Sequence, residues 1–311
     1  MKKIKSEIRK AYLLDRYAII TPGRAARPRE IKEQTVIKNL ESCPFCPENI
    51  DKKEIIDKLP ADNSKDETWD VLSIRNIFPA VELDNKKAYG TQEVIIDTPN
   101  HAEELGGMKI EKIEQLLKMY AKRTKDIAKN KKINYILCFK NQGSKAGASI
   151  THSHSQIFAT KITPPEIKEE MTAIDNYKKK HGGCPYCKII KEEEKNKRKI
   201  FSDKNIVAFT PYASEYHYEA WIFPRKHVDN ITLLTEDEIK SFAKALKLIL
   251  EKLETINLSF NYFLHNLVSD KNQHLYLKIQ PRDSVWAGVE LGSGLIINSV
   301  PPEEAAKFYR N

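Results

Sequence analysis

The chain predicts an α+β fold, two antiparallel sheets flanked by helices, with one sheet in each of two similar halves. Three observations point there. Cys43-Pro-Phe-Cys46 returns as Cys184-Pro-Tyr-Cys187, and the nine residues from Glu93 to His101 return as Glu219 to His227. Asn134-Tyr-Ile-Leu likewise returns as Asn261-Tyr-Phe-Leu, so one module is present twice. In each copy strands precede and follow a single helix, and the two strands around residue 145 are joined by a connection too short for a helical crossover, which makes their pairing antiparallel.

Tyr17 to Thr21 reads as a short strand, followed by the arginine-rich Pro22-Gly-Arg24-Ala-Ala-Arg27-Pro28. The first cysteine knuckle comes next, then a polar segment through Asp66, a strand near Val71 to Arg75 and a strand at Glu93 to Asp97. Ile110, Ile113, Leu116, Leu117, Tyr120, Ile127 and Ala128 recur at helical spacing and mark one apolar face. Strands at Ile133 to Phe139 and Thr151 to Phe158 close the first half. The second half reads alike: knuckle, strand near Ile206, strand at Glu219 to Phe223, a helix carrying Ile239, Phe242, Leu246, Ile249, Leu250 and Leu253, then strands near Tyr262 and Leu275. The boundary falls between Pro164 and Gly183, giving modules 1–165 and 166–311.

Each copy carries CxxC, then a histidine after 54 or 39 intervening residues, then another after 50 or 46. A lone CxxC is open to redox, metal or chance readings. The same motif followed twice by similarly spaced histidines favours two Cys2His2 zinc sites per chain: Cys43, Cys46, His101 and His152 in the first, Cys184, Cys187, His227 and His274 in the second. Cys138 lies in an apolar run and reads as a buried spectator. Four of five cysteines in CxxC pairs fit a reducing compartment, and the cytoplasm is the expected location.

No apolar run of about 18 residues is present and Met1-Lys-Lys lacks the apolar core of a signal peptide, so no membrane span is expected. The net charge of +9 comes from 52 basic and 43 acidic residues, with glutamates interleaved among the lysine runs. Such runs read as solvated helix faces, and no nucleic-acid partner is expected. The excess also suits an anionic nucleotide.

Chemistry concentrates in the small-residue loop from Lys140 to Ser149 and the following His152-Ser-His154-Ser-Gln156. Residues two apart on a strand face the same way, so two imidazoles and an amide face whatever the loop holds. Glycine lets backbone N–H groups approach phosphoryl oxygens, and a neutral imidazole attacks phosphorus without first losing a proton. The plain alternative is a polar strand with two surface histidines. Gln156 donates an N–H but cannot act as an acid. A sugar phosphate leaves as a stable anion and needs none, which favours transfer over hydrolysis. In the second copy Tyr276 and Lys278 stand where His154 and Gln156 stand in the first, leaving one nucleophile per chain.

Knuckle, spaced histidine, loop and His-x-His-x-Gln together resemble the galactose-1-phosphate uridylyltransferase family, a branch of the histidine-triad superfamily, over nearly the whole chain. The resemblance implies tandem histidine-triad modules, with His154 as the nucleophile that becomes nucleotidylated, His152 as a zinc ligand and Gln156 as donor to the transferred phosphoryl group. It matches Gly147-Ala148-Ser149 to the turn that contacts the phosphoryl oxygens, the Arg24 and Arg27 segment to a phosphate-binding signature, and Arg75-Asn76-Ile-Phe-Pro-Ala80 to a ribose-contacting segment. Arg24 and Arg27 are also open to a surface-charge reading, as Asn76 and Asn141 are to a turn role. Glu290, between glycines, either caps a turn or, as in the family, binds hexose hydroxyls across a homodimer interface. Ala146-Gly-Ala-Ser and His152-Ser-His154 are similar to the ADP-glucose phosphorylase subgroup, as is Gly288-Val-Glu290-Leu-Gly292.

The expected activity is nucleotidyl transfer between an NDP-sugar and a phosphate acceptor by double displacement. A hexose 1-phosphate acceptor makes the enzyme a uridylyltransferase; inorganic phosphate makes it an ADP-sugar phosphorylase. A nucleotide hydrolase is disfavoured by Gln156. A zinc-ribbon nucleic-acid-binding protein is disfavoured by the 137 residues between Cys46 and Cys184, since ribbons bring their pairs within about 15–20.

Overall fold

The computed structural model describes residues 6–22, 43–60, 68–267 and 272–311. Arg24 and Arg27 lie outside the described residues. Thirteen strands and six helices are found among those described.

Ten strands form one antiparallel sheet. From the first part of the chain come β3 (Ile55–Leu59), β4 (Val71–Arg75), β5 (Gly90–Ile96), β6 (Tyr135–Gln142) and β7 (His154–Thr160). From the second come β8 (Lys199–Ser202), β9 (Ile206–Phe209), β10 (Ala220–Pro224), β11 (Phe260–Leu267) and β12 (Leu277–Pro281). Their spatial order is β3-β4-β5-β7-β6-β11-β12-β10-β9-β8. Read outward from the centre, both halves have the same order, so the expected pair of antiparallel sheets is present and the two are fused edge to edge. The seam is β6 against β11, with Phe139 opposite Phe263 and Asn141 opposite Asn261. A second, three-stranded sheet joins β1 (Glu7–Lys10) and β2 (Tyr17–Ile20) to β13 (Ile296–Asn298), the last pair parallel.

Helices α1 (Ile110–Ile127) and α4 (Glu236–Thr255) cover one face of the large sheet. Their apolar positions fall every three or four residues, and Ile113, Leu116, Leu117, Tyr120, Phe242, Leu246, Ile249 and Leu253 are buried with Ile95, Ile136, Ile157, Tyr262 and Leu277. Thr235 and Glu238 form a capping box that starts α4. The other face is divided. Over the second half lie α2 (Pro165–His181) and α3 (Pro185–Glu193), where Ile174, Tyr186, Ile189 and Ile190 pack on Val207, Phe209, Phe223 and Tyr276. Over the first half lies the Cys43–Cys46 knuckle, packed through Phe45 on Leu72, Ile74, Val94 and Ile96. Two short helices, α5 (Gly288–Ser293) and α6 (Pro302–Arg310), end the chain.

Candidate active site

Strand β7 begins at His154, three residues later than its sequence pattern suggests, so His152 lies in the approach to the strand. It turns towards the knuckle. His152 Nδ1 is 3.6 Å from Cys43 Sγ and 3.7 Å from Cys46 Sγ, and His101 Nδ1 is 3.3 Å from Cys46 Sγ. His152 Nε2 donates to the Thr98 carbonyl at 2.8 Å, which fixes the ring with Nδ1 as the free ligand atom. The second half repeats this. Cys187 Sγ lies 3.6 Å from His227 Nδ1 and 3.5 Å from His274 Nδ1, Cys184 Sγ is 4.0 Å from the latter, and His274 Nε2 donates to the Pro224 carbonyl at 2.9 Å. In each cluster the four ligand atoms lie within 4.8 Å of one another. A tetrahedral ion with bonds of about 2.0–2.3 Å sets its ligands about 3.5 Å apart, so both clusters fit one.

His154 and Gln156 share the sheet face opposite α1 and α4. The His154 ring rests against Phe45, centroids 4.9 Å apart, and its Nδ1–H donates to the His152 carbonyl at 2.8 Å. Nε2 therefore keeps its lone pair. Burial is the main cause holding the imidazole below its ordinary pKa, and the Lys140 cation adds to it, so the ring is neutral at neutral pH. Beneath the strand, on the helix side, Lys140 and Asp97 form an ion pair at 2.9 Å with side chains 1% and 0% exposed. Lys140 Nζ also donates to Ser153 Oγ at 2.9 Å and to the His154 carbonyl at 3.0 Å. Asp97 accepts the hydroxyls of Ser153 and Ser155 at 3.1 and 2.7 Å. The two serines of His-Ser-His-Ser are thus anchors for the backbone that aims His154.

The loop is shaped by Gly143 and Gly147, at φ +81° and +82°, where a side chain is disfavoured. The N–H groups of Ala146, Gly147 and Ala148 turn back to the carbonyls of Gly143, Ser144 and Gly143. Those three N–H groups are spent inside the loop, in contrast to a cradle built from all of them. Ser149 is exposed, and among the described residues nothing hydrogen-bonds it. Asn141 Oδ1 accepts from Asn261 Nδ2 at 2.8 Å, which leaves the Asn141 amide N–H2 as the available end. Asn261 also donates to the Ala146 carbonyl at 2.8 Å and accepts from Arg282 Nε at 2.5 Å, so the second half braces the first half's loop. Asn76 Oδ1 accepts from the Phe78 N–H at 2.9 Å, an Asx turn. Glu290 accepts the Ala287 N–H at 2.9 Å at the start of its own helix.

Sequence reasoning passed over Lys140 and Asp97 as a pair, Gln92, Asn261 and Phe45. Phe45 is the aromatic of the first CPxC, and its place in a repeated motif was the available signal. The others become partners only through strand register.

In the second half Tyr276 takes the place of His154, and its hydroxyl donates to Glu170 of α2, with both carboxylate oxygens at 2.9 Å; the Tyr186 hydroxyl donates to the same carboxylate. Lys278 lies over the rings of Trp221 and Tyr276, at 5.1 and 5.3 Å. The position that bears the nucleophile in one half is occupied by packing in the other.

Comparison with known proteins agrees with this geometry. The profile of the galactose-1-phosphate uridyl transferase N-terminal domain matches residues 1–164. ADP-glucose phosphorylase of Arabidopsis thaliana is 32% identical over 98% of this chain and 92% of its own length, and galactose-1-phosphate uridylyltransferase of Thermotoga maritima is 28% identical over 98% of both. The crystal structure of the Arabidopsis enzyme with bound ADP-glucose superposes with a TM-score of 0.86 at 30% identity over 99% of each chain, and that of a uridylyltransferase with 0.76 at 28% over 98% of each. With more than half its length in the family profile and whole-length likeness to both enzymes, the chain belongs to the galactose-1-phosphate uridylyltransferase family and is a nucleotidyltransferase.

Proposed function

We propose that the protein moves a nucleoside monophosphate from an NDP-sugar to a phosphate acceptor through a covalent intermediate on His154. The observation that carries this is the 2.8 Å bond from His154 Nδ1–H to the His152 carbonyl, which leaves Nε2 unprotonated on the face shared with Gln156. In the first half-reaction Nε2 attacks the α-phosphorus; the P–N bond forms, the P–O bond to sugar 1-phosphate breaks, and that phosphate leaves with the electron pair. In the second an acceptor phosphate oxygen attacks phosphorus and the pair returns to Nε2. Neither step needs an acid, which suits an amide at Gln156. The His152 carbonyl steadies the charge that the ring acquires.

A hexose 1-phosphate such as galactose 1-phosphate is the acceptor in the leading reading. The 32% identity to an ADP-glucose phosphorylase favours inorganic phosphate as the second reading. Arg24, Arg27, Asn76, Asn141 and the Gly147-Ala148-Ser149 turn are assigned to the nucleotide and its phosphates, and Glu290 to the sugar. Both Cys2His2 clusters are assigned zinc. Bound there, zinc supplies folding energy and a fixed backbone, with all four positions filled by protein. The modules divide at 165/166, the protein is a homodimer, and five free thiols suit the cytosol.

The test is retention of label. Incubated with an NDP-sugar labelled in the α-phosphate, the protein should hold label under denaturing conditions at neutral to alkaline pH, and exchange label between sugar 1-phosphate and NDP-sugar without a second acceptor. His154→Gly should abolish both, and free imidazole should restore part of the transfer. Near-normal transfer by His154→Gly would remove the covalent mechanism.

A further inference from the structure

An amide presents a donor at one end and an acceptor at the other, in nearly the same shape, so the value of Gln156 depends on which end faces the phosphoryl group. One contact fixes that choice. The backbone N–H of Ala80 can only donate, and it donates to Gln92 Oε1 at 3.0 Å. The other end of Gln92 is then its N–H2, and this end donates to Gln156 Oε1 at 2.8 Å. Gln156 Oε1 is thereby occupied, and its N–H2 is the end left for a substrate. The polarity runs one way along the chain of bonds because its origin is a backbone donor.

The pairing depends on register. Val94 stands opposite Gln156 and Gln92 opposite Phe158, so Gln92 is the diagonal neighbour of Gln156 on the same face. A one-residue slip would point it at the helices. Gln92 is also tied to the segment that supplies Ala80: its carbonyl accepts the Asn76 N–H at 3.3 Å, and Asn76 in turn holds the Phe78 N–H. Residues 76–80 therefore grip Gln92 from both its backbone and its side chain, while Phe78 itself is 87% exposed.

We infer that Gln92 is a positioning residue that sets the polarity of the Gln156 amide, keeping its N–H2 aimed at the transferred phosphoryl group. The inference rests on the reading of Gln156 as phosphoryl donor. Without Gln92 the amide is free to turn its oxygen towards the phosphoryl oxygens, where it repels rather than stabilises.

The experiment is a single-turnover measurement of sugar 1-phosphate release from an NDP-sugar by wild type, Gln156→Ala, Gln92→Leu, Gln92→Glu and the double variant Gln92→Leu with Gln156→Ala. Zinc content and melting temperature are compared throughout, and Gln92→Met replaces Gln92→Leu should the latter fail to fold. Gln156→Ala should slow the step by about 10²-fold. Gln92→Leu should slow it by about tenfold with KM within twofold of wild type, as expected for loss of an oriented donor and not of binding. Gln92→Glu keeps the shape and inverts the polarity, because an ionised carboxylate accepts from Ala80 and offers Gln156 nothing to accept. It should be slower than Gln92→Leu, whereas a packing role would make the near-isosteric glutamate the milder change. The double variant should be no slower than Gln156→Ala alone, since both act through one amide. If Gln156→Ala is fully active, the donor reading falls and this inference with it. If Gln156→Ala is slow but both Gln92 variants keep wild-type rates, raise only KM, or multiply the loss in the double variant, the donor reading stands and the inference is overturned.

Discussion

At the scale of single residues the reactive ring is held from two sides. Its Nδ1–H is bound by the carbonyl two residues earlier, and its own carbonyl is bound by Lys140, whose charge is answered by Asp97. A buried pair of this kind is costly to break on one side only, because the surviving charge stays buried without its partner. Lys140→Met should cost about 3–5 kcal/mol of stability in denaturant unfolding. Combining it with Asp97→Asn should cost less than the sum of the two single changes, since the members of the pair are coupled. An additive double variant would mean that the pair is not the unit described. Folded Lys140→Met protein should also lose more kcat than KM, because the strand that aims His154 is tied through Ser153 and the His154 carbonyl.

At the scale of elements the two metal clusters are alike in ligands and unlike in consequence. The first ends on His152, two residues before the nucleophile, while the second ends on His274, ahead of a strand whose matching position is Tyr276. Elemental analysis should find two zinc ions per chain. Cys43→Ala should remove one ion and most of the activity. Cys184→Ala should remove the other and lower the melting temperature while leaving a larger share of activity in the folded protein. The segment bearing His227 has a second tether: Arg225 donates to Glu194 through both terminal nitrogens, one at 2.9 Å, and Glu194 directly follows α3. That pairing holds the Glu194 carboxyl down at about 2 from its ordinary 4.5. A depressed acid stabilises the fold fully above its unfolded pKa and loses that contribution as pH falls through the folded one. Glu194→Gln should therefore be less stable than wild type by about 0.5–1 kcal/mol at neutral pH, and the gap should close between about pH 4.5 and about pH 2. A gap that persists at the acid end would assign the difference to something other than this ion pair. Elements differ in how far the sequence announces them. Helices α1 and α4 are legible because a long apolar stripe repeats with the helical period, and the catalytic strand because two histidines and an amide alternate on it. Strands β1, β3, β8 and β13 are three to five residues long, too short for a period to register. The site divides the same way: ligands and nucleophile sit in local motifs, whereas Gln92, Asp97 and Asn261 gain their roles from which strand lies beside them.

At the scale of the whole molecule, duplication has produced one site from two modules. The seam at β6 and β11 brings Asn261 of the second half onto Asn141 and the loop of the first, so the second half contributes rigidity where it has lost chemistry. Its own face is covered by α2 and α3, and Glu170 occupies the hydroxyl of Tyr276. The region after β12 is different. Val285 is 91% and Leu291 74% exposed, with Val289 half exposed between them, flanking Glu290. Apolar side chains gathered in this way on a short surface helix suit burial by a partner, and a two-fold dimer is the commonest closed arrangement. A Glu290 that serves the neighbouring subunit's sugar makes a specific prediction. His154→Gly and Glu290→Ala homodimers should each be inactive or nearly so. After subunit exchange half of the dimers carry one chain of each kind, and in those the intact His154 of one chain meets the intact Glu290 of the other. Mixing the two dead proteins should then restore about a quarter of wild-type activity, one working site in each mixed dimer of a two-fold assembly. If Glu290 instead serves its own chain, every site in the mixture lacks one residue or the other and no activity returns. Light scattering decides the prior question, for a fully active monomer would remove the shared site altogether.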